Sequence, residues 1–305
     1  MPLTSRVIIV NYNSGPWLQR AIASVLEHSD SVISVVDNAS QDTSFTDAQD
    51  KIKSPRVDYI ANLHNVGFAA ANNQVLNNLD TDLAILMNPD CEINASTLPP
   101  ILSFFADTNQ SIGYAAASCR ILNADGSNQK TSRRRFPTPA SALARMIGLH
   151  KLGLRQPWAQ DFDFGGNATA HEKIQDVPAI SGAYMVMTNS ALNQIGLLDD
   201  DYFMHCEDLD WCKRCELAGL RIAYIPEASV LHAKGVSSST RPIGVLWNLH
   251  TGMARFFKKF YQKSHGLWFT GLVQAGIYAS FLLRVVVNLS TDLLRWLANI
   301  FRGRH

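Results

Sequence analysis

Arg6-Val7-Ile8-Ile9-Val10-Asn11-Tyr12-Asn13 decides the fold. Val7–Val10 is an unbroken β-branched run, which reads as a buried strand over Arg6–Val10. The polar triplet after it marks the strand's carboxyl end. Working outward, Pro16–His28 predicts a helix with Leu18, Ile22, Val25 and Leu26 on one face. Ser31–Val36 is a second strand, Val57–Ala61 a third and Leu83–Met87 a fourth, with a helix over Ala69–Leu79. Strands alternating with helices at this spacing predict a mainly parallel sheet covered by helices. Ligands of such sheets bind beyond the carboxyl ends of the strands. That is where the polar clusters fall: Asn11-Tyr12-Asn13, Asp37-Asn38-Ala39-Ser40 and Asn88-Pro89-Asp90.

The bulk numbers narrow the class. A chain of 305 residues, 47% hydrophobic, suffices for one large domain with an appendage. A net charge of +1 gives no global field to recruit nucleic acid. Five cysteines without framework spacing read as reduced thiols of a cytosolic protein. The opening Met1–Arg6 runs straight into the first strand, so no signal peptide is expected.

The middle changes character. Asn128–Asp163 carries Arg133-Arg134-Arg135, Arg145, His150, Lys151 and Arg155, broken by Pro137, Pro139 and Pro157. It reads as a mobile basic loop: either a solvated insertion or a flap meeting an anionic acceptor such as a diphosphate. Ile174–Thr188 predicts strand structure around Ser181-Gly182-Ala183, and Ser190–Leu197 a short helix. Leu209–Ala218 predicts a helix ended by Gly219, and Arg221–Ile225 a strand closed by Pro226, with a last short strand at Val230–His232.

The tail is different again. Val245–Lys263 mixes aromatic residues with lysines and Arg255, and Leu267–Leu283 carries no charge. Leu289, Leu293, Leu297 and Ile300 then recur at helical spacing among arginines. This composition suits a helical hairpin lying in a membrane interface better than a span, since the uncharged stretch is short of the roughly 20 residues a span needs. The alternative is a hairpin packed on the domain or on a second copy. The expected division is a catalytic domain over 1–240 and an amphipathic tail over 241–305.

The ordered set Val10–Asn13, Val36–Ser40, Asn65–Asn73, Asn88–Asp90, Ser181–Ala183, Glu207-Asp208-Leu209-Asp210 and His232 resembles family 2 inverting glycosyltransferases of the GT-A fold. Within them it is closest to the rhamnosyltransferase-like enzymes of bacterial cell-wall and O-antigen synthesis. The resemblance covers roughly residues 5–240. Each motif alone is weak, and their order gives the set its weight.

The resemblance implies a nucleoside diphosphate sugar donor and an α/β GT-A fold. Asp90 matches the last carboxylate of the family's DxD-type motif and so implies a ligand for Mg²⁺ or Mn²⁺. Here Asn88 stands for the first acid, and Pro89 lies between. A single carboxylate suits a hard cation held partly by phosphates and water. His232 matches the late histidine that completes the metal site, against the plainer reading of a satisfied strand-end histidine. Asp37, with Asn38, matches the residue that binds nucleobase or ribose, though Asx residues also favour turns. Tyr12, flanked by Asn11 and Asn13, is placed against the base. Asn65, Gly67 and Asn73 set a loop and helix start against the nucleotide, with Gly67 allowing close backbone approach. Gly182 joins the donor site through its motif.

Inversion requires a base that takes the acceptor's hydroxyl proton. Asp208 matches the family's base. Glu207 beside it raises its proton affinity or orients the acceptor. Arg214 is either the partner of Asp210 or a diphosphate contact. Acids favour the first turn of a helix through its dipole, which explains one acid but not three with His205. Cys212 and Cys215 have CxxC spacing, but on a helix this is simply one face, and no second pair exists for zinc.

The resulting expectation is transfer of one sugar, L-rhamnose from dTDP-rhamnose, to a polyprenyl-diphosphate-linked saccharide at the inner membrane face. Runner-up readings are a UDP-sugar transferase of the same fold and a non-catalytic nucleotide-sugar-binding scaffold. A homodimer through the C-terminal helices is the other use of the tail. A processive synthase normally carries QxxRW, but no glutamine stands three before Arg295-Trp296. A nicotinamide-dependent oxidoreductase needs a glycine-rich turn where this chain has Asn11–Gly15.

Overall fold

A computed structural model describes residues 2–138, 141, 173–233 and 242–302, the side chains of 242 and 291–302 excepted. Arg145, His150, Lys151 and Arg155 of the basic loop lie outside the described residues. The strands are β1 Ser5–Asn11, β2 Val32–Asp37, β3 Val57–Ala61, β4 Leu83–Met87, β5 Cys91–Glu92 and β6 Tyr114–Leu122. They continue as β7 Arg133–Arg134, β8 Gln175–Asp176, β9 Ala179–Ile180, β10 Tyr184–Thr188 and β11 Arg221–His232. The helices are α1 Trp17–His28, α2 Ser44–Lys51, α3 Phe68–Leu76, α4 Leu98–Ala106 and α5 Thr108–Ser111. After these come α6 Asn189–Ile195, α7 Glu207–Leu217 and α8 Pro242–Arg302.

One sheet runs β3-β2-β1-β4-β10-β6-β11-β5, with β8 added beside β11. The pairs β3-β2, β2-β1, β1-β4 and β6-β11 are parallel, and β10 runs antiparallel between β4 and β6. Its two faces carry separate cores. Val7, Ile9, Leu18, Ile22, Ile33 and Ile85 pack on one side; Ile8, Val36, Leu86, Met185, Trp211 and Phe256 pack on the other. Alternation of side chains along β1 sends Val7 and Ile9 one way and Ile8 the other. The parallel register sets Asn11 opposite Asp37, so the polar strand ends converge on one edge.

One strand lies where the sequence analysis placed no element, and one differs from its sequence reading. β6 begins Tyr114-Ala115-Ala116-Ala117, which propensity alone disfavours as a strand. Ala115–Ala117 are nonetheless buried in mid-sheet, where the small side chains of Ala115 and Ala116 fit under α6. Pro226 does not close β11. The strand shifts register between Ile225 and Ser229 and continues to His232. A proline cannot donate to the ladder, and a bulge is one place in a sheet where that is tolerated.

The tail is a helical hairpin. Gly266, at φ 79° and ψ 168°, breaks α8 in a conformation only glycine adopts readily. The second arm then runs back along the first, so that Trp247 meets Tyr278 and Phe281, and His250 meets Phe281. The first arm packs on the body through Phe256 and Phe257, both buried. The second exposes Leu267, Trp268, Leu272, Leu282, Leu283 and Val286. By length and composition this helix is apolar enough to cross a membrane.

Candidate active site

The carboxyl end of β1 is tied to that of β2 by side chains. Asn11 Nδ2 donates to Asp37 Oδ1 at 2.7 Å, Ser40 Oγ at 3.0 Å and Ser44 Oγ at 2.9 Å. Asn13, in the left-handed region, accepts from the backbone N–H groups of Gln41 and Asp42. Asp37 also accepts from Ser40 N and Ser40 Oγ. This network shapes a polar corner with Tyr12 half-buried beside it.

Several of the residues expected at the nucleotide bond to protein groups. Asn11 is fully buried, with its amide committed to three partners. Asn38 is buried; it donates to Gly67 O and accepts from Asn62. Asn73 bonds both ways with the backbone of Leu198. Arg214 has the first of its two sequence roles: its Nε reaches Asp210 Oδ1 at 2.8 Å, while its other nitrogens bond the carbonyls of Ile195 and Leu197. Gly67 does allow a close backbone approach, but the partner is protein. A Cβ there would lie 2.6 Å from Phe203 O, at φ +90°. Asn65 accepts from Gly67 N and shapes this loop.

The metal-type pair does converge. His232 Nε2 lies 3.2 Å from Asp90 Oδ1, both buried, with Asn88 Nδ2 at 3.5 Å from the same nitrogen. Gln129, which sequence reading passed over, fixes the ring. Its Nε2 donates to His232 O at 2.9 Å, which turns its Oε1 to His232 Nδ1 at 3.1 Å. The Nδ1 proton then points at Gln129, and the lone pair of Nε2 points at Asp90. Two lone-pair donors facing each other, with an outer hydrogen bond locking the tautomer, fit a divalent cation. Cys91 also lies in this group but does not fit. Burial pushes its thiol well up, and Sγ–H donates to Ala183 O at 3.3 Å. A hard cation prefers oxygen and imidazole to a protonated thiol.

The acidic stretch heads α7. His205 and Cys206 both sit in the left-handed region, at φ 72° and 73°. Such residues cost about 1–3 kcal/mol each and persist only where the surroundings over-determine them. Here Gly252 of the tail closes on them: a Cβ on Gly252 would lie 2.8 Å from His205 O. The turn aims Asp208 at the Ser181–Ala183 turn, where Gly182 N donates to Asp208 Oδ2 at 3.0 Å. Asp208 Oδ1 accepts from Leu209 N at 2.7 Å, and Arg134 Nη1 reaches Oδ2 at 2.7 Å. Burial first, then the charge of Asp208, pushes Glu207 up to about 8. The carboxyl therefore holds its proton more readily than a free glutamate does. Burial also holds the His205 imidazole below its usual range.

The Ser181–Ala183 turn joins the two centres. Its Gly182 N holds Asp208, and its Ala183 O accepts Asn88 N at 2.9 Å. Base-type carboxylate and cation-type pair thus flank one turn at the carboxyl edge of the sheet. All five cysteines are buried free thiols, and no zinc-type cluster forms around Cys206, Cys212 and Cys215 among the described residues.

A mainly parallel sheet, an Asn-x-Asp strand end closed by a histidine, and a buried acid at a helix start define the GT-A class of glycosyltransferase. A family model described as glycosyl transferase family 2 matches residues 6–176, and the chain belongs to that family. The N-acetylglucosaminyl-diphospho-decaprenol L-rhamnosyltransferase of Mycobacterium tuberculosis is 25% identical over 306 residues, covering 95% of this chain and 94% of its own length. The low-salt glycan biosynthesis hexosyltransferase Agl10 of Haloferax volcanii is 26% identical over 237 residues, covering 76% and 68%. Among solved structures, mannosyltransferase PcManGT from Pyrobaculum calidifontis, in complex with GDP-Man and Mn²⁺, superposes with TM-score 0.56 at 14% identity, over 98% of this chain and 81% of that one. GalNAc-T7 with UDP, GalNAc and Mn²⁺ gives 0.59 at 16% identity, over 84% of this chain and 48% of that one. The chain thus spans about half of the GalNAc-T7 chain, and at such identities these likenesses speak for the fold.

Proposed function

We propose that this glycosyltransferase moves one L-rhamnose from dTDP-rhamnose to a polyprenyl-diphosphate-linked saccharide, with inversion, at the cytoplasmic face of the membrane. The observation that carries the chemistry is the Ser181–Ala183 turn, bonded to Asp208 on one side and to Asn88 on the other. The rhamnosyl and lipid-linked choices are supported by the mycobacterial relative's name and its near full-length coverage.

Asp37 and Tyr12 receive the nucleoside. Asp90 and His232 would hold Mg²⁺ or Mn²⁺, which when bound offsets charge on the departing diphosphate. The acceptor hydroxyl oxygen attacks the anomeric carbon, and the carbon–oxygen bond to the diphosphate breaks with its electron pair. Asp208 takes the hydroxyl proton. Glu207, beside it, orients the acceptor. Gly182 N fixes the base. The exposed apolar arm of α8 lies in the membrane interface and brings the site to its lipid-linked acceptor.

Calorimetric titration with dTDP, UDP and GDP, each with and without Mn²⁺, tests the donor. Metal-dependent preference for dTDP is expected. Preference for UDP discards rhamnose and keeps the transferase; no binding of any revives the scaffold. Asp208→Asn is expected to abolish transfer while nucleotide still binds, and retained transfer removes Asp208 from its role. Vesicle sedimentation of a chain cut after Tyr261 tests the tail. Undiminished sedimentation would return the second arm to the dimer reading.

A further inference from the structure

We propose, resting on the reading of Asp208 as the base, that the arm of α8 before Gly266 is part of the catalytic unit. Gly252 and Lys259 are positioning residues that aim Asp208 from behind.

The start of α7 is not held by its local sequence. Its N-cap, Cys206, sits at φ 73° and makes no side-chain cap hydrogen bond among the described residues. An N-cap ordinarily has β-region angles and a side-chain oxygen on the amide of the second or third helical residue. His205 before it is left-handed too, at φ 72°. A turn of this kind persists where tertiary contacts fix it.

The tail supplies such contacts. Gly252 lies inside a helix, where glycine is disfavoured relative to alanine. Its neighbours explain it. A Cβ there would lie 2.8 Å from His205 O, 3.3 Å from Cys206 Sγ and 3.4 Å from Cys206 Cβ. The backbone of the tail helix therefore seats directly on the left-handed turn. Positions i, i+3, i+4 and i+7 share one helix face, and counted from Gly252 they bring in Arg255, Phe256 and Lys259. Arg255 pairs with Asp199 and Asp201. Phe256 stacks on Phe136, two residues past Arg134, which reaches Asp208 Oδ2. Lys259 Nζ bridges Asp199 Oδ2 and Asp210 Oδ2, at 2.6 Å from each.

Asp208 and Asp210 are two positions apart on α7, so they leave the helix about 200° apart. Asp208 meets Gly182 N on one side, and the fully buried Asp210 meets Lys259 on the other. Anchors on opposite sides of one turn fix its rotation about the helix axis. Arg214 also holds Asp210, but it secures the helix a turn further along, to the carbonyls of Ile195 and Leu197. Tyr202 holds Asp210 too, and the guanidinium of Arg255 lies over its ring. Relieving the 2.8 Å contact at Gly252 would shift His205, three residues before the base, by a few tenths of an ångström. A misplacement of about 1 Å can cost about 100-fold in rate, so this shift predicts about tenfold.

Transfer from dTDP-rhamnose to an N-acetylglucosaminyl-diphospho-polyprenol, and calorimetric binding of dTDP, both in Mn²⁺, are measured on six proteins. They are wild type, Gly252→Ala, Lys259→Met, Lys259→Arg, Phe257→Leu and Asp208→Asn, each held well below its unfolding midpoint. Phe257 is buried in the same arm but, at i+5 from Gly252, lies off the shared face, so Phe257→Leu controls for lost stability. Positioning predicts kcat about tenfold lower in Gly252→Ala and Lys259→Met, with the Kd of dTDP within about twofold of wild type. Lys259→Arg, which keeps a cation between two acids, recovers kcat to within about threefold of wild type, and Phe257→Leu stays within about twofold. Wild-type kcat in both Gly252→Ala and Lys259→Met, beside an inactive Asp208→Asn, overturns the positioning roles and leaves the base reading intact. An equal fall in Phe257→Leu overturns them too, as general loss of packing. Loss of dTDP binding in Gly252→Ala marks a folding defect, and the comparison of Lys259→Met with Lys259→Arg then decides alone. Full transfer by Asp208→Asn, or none by wild type, overturns the proposed reaction and the positioning roles together.

Discussion

Glu207→Gln isolates the electrostatics of the first turn of α7. Glu207 is buried, its Oε2 has no hydrogen-bond partner among the described residues, and Asp208 adds a like charge, so its carboxyl is pushed up from 4.5 to about 8. Between these values the folded protein keeps a proton that the unfolded chain releases. Stability therefore falls with rising pH: this contribution is fully present below 4.5 and is lost as pH rises through about 8. One proton bound in the folded state and absent from the unfolded one gives a slope of at most about 1.4 kcal/mol per pH unit. From roughly pH 6 to 7.5, wild type should thus lose about 2 kcal/mol relative to Glu207→Gln, whose amide has the same shape and does not titrate. Urea unfolding followed by circular dichroism, on both proteins across this range, reads the difference directly. Parallel pH profiles would refute the argument and place an ionised, partnered carboxylate at Glu207. A converging pair that crosses at low pH would support it.

Three other predictions follow from named contacts. Gln129→Leu frees the His232 ring to turn and should weaken Mn²⁺ binding about 10- to 100-fold by calorimetry, with little change in thermal stability. Gly67→Ala must take up a left-handed φ with a Cβ 2.6 Å from Phe203 O, so it should cost more than about 2 kcal/mol in chemical unfolding. Lys259→Met removes one of two cations from Asp210, a fully buried acid also held by Arg214. It should cost about 2 kcal/mol, below the roughly 3–5 of a fully stranded buried charge, in the same assay.

The sheet was legible because β1 and β4 carry apolar runs bounded by polar residues, and Val57–Ala61 and Leu83–Met87 fall where the pattern puts them. Pattern failed where burial or a local device overrides propensity. Ala115–Ala117 makes a strand because mid-sheet space demands small residues. Pro226 sits inside β11 because the bulge absorbs it. α4 opens Leu98-Pro99-Pro100, and prolines are tolerated in a first turn whose N–H groups have no intrahelical partner. The site shows the same division. Asp90 lies beside His232 and Gly182 beside Asp208, four positions that the motifs mark. Asn73 and Arg214 look the same in sequence as ligand-binding residues, because an amide or guanidinium carries no mark of which way it turns. The structure gives them to Leu198 and to Asp210 with its neighbouring carbonyls. Gln129 had no local signal, since its partner His232 is 103 positions away.

The tail's two arms do different work, and truncation separates them. The first arm closes on the start of α7. Gly252 faces His205, Phe256 and Phe257 are buried, Arg255 and Lys259 pair with Asp199, and Lys259 also pairs with Asp210 at 2.6 Å, two residues from Asp208. Removing it re-exposes both phenylalanines, at about 1.5–3 kcal/mol each, and takes a cation from a buried acid. That total is comparable with the whole stability of a domain. A chain cut before Pro242 should therefore fail to bind dTDP and unfold without a cooperative transition. A chain cut after His265 keeps every one of these contacts and loses the exposed face of Leu267, Trp268 and Leu282, along with the ring contacts of Tyr278 and Phe281 on Trp247 and His250. It should bind dTDP as the full chain does and no longer float with anionic vesicles. If the chain cut before Pro242 binds dTDP with full affinity, the first arm is an appendage and the left-handed turn at His205–Cys206 needs no support from it.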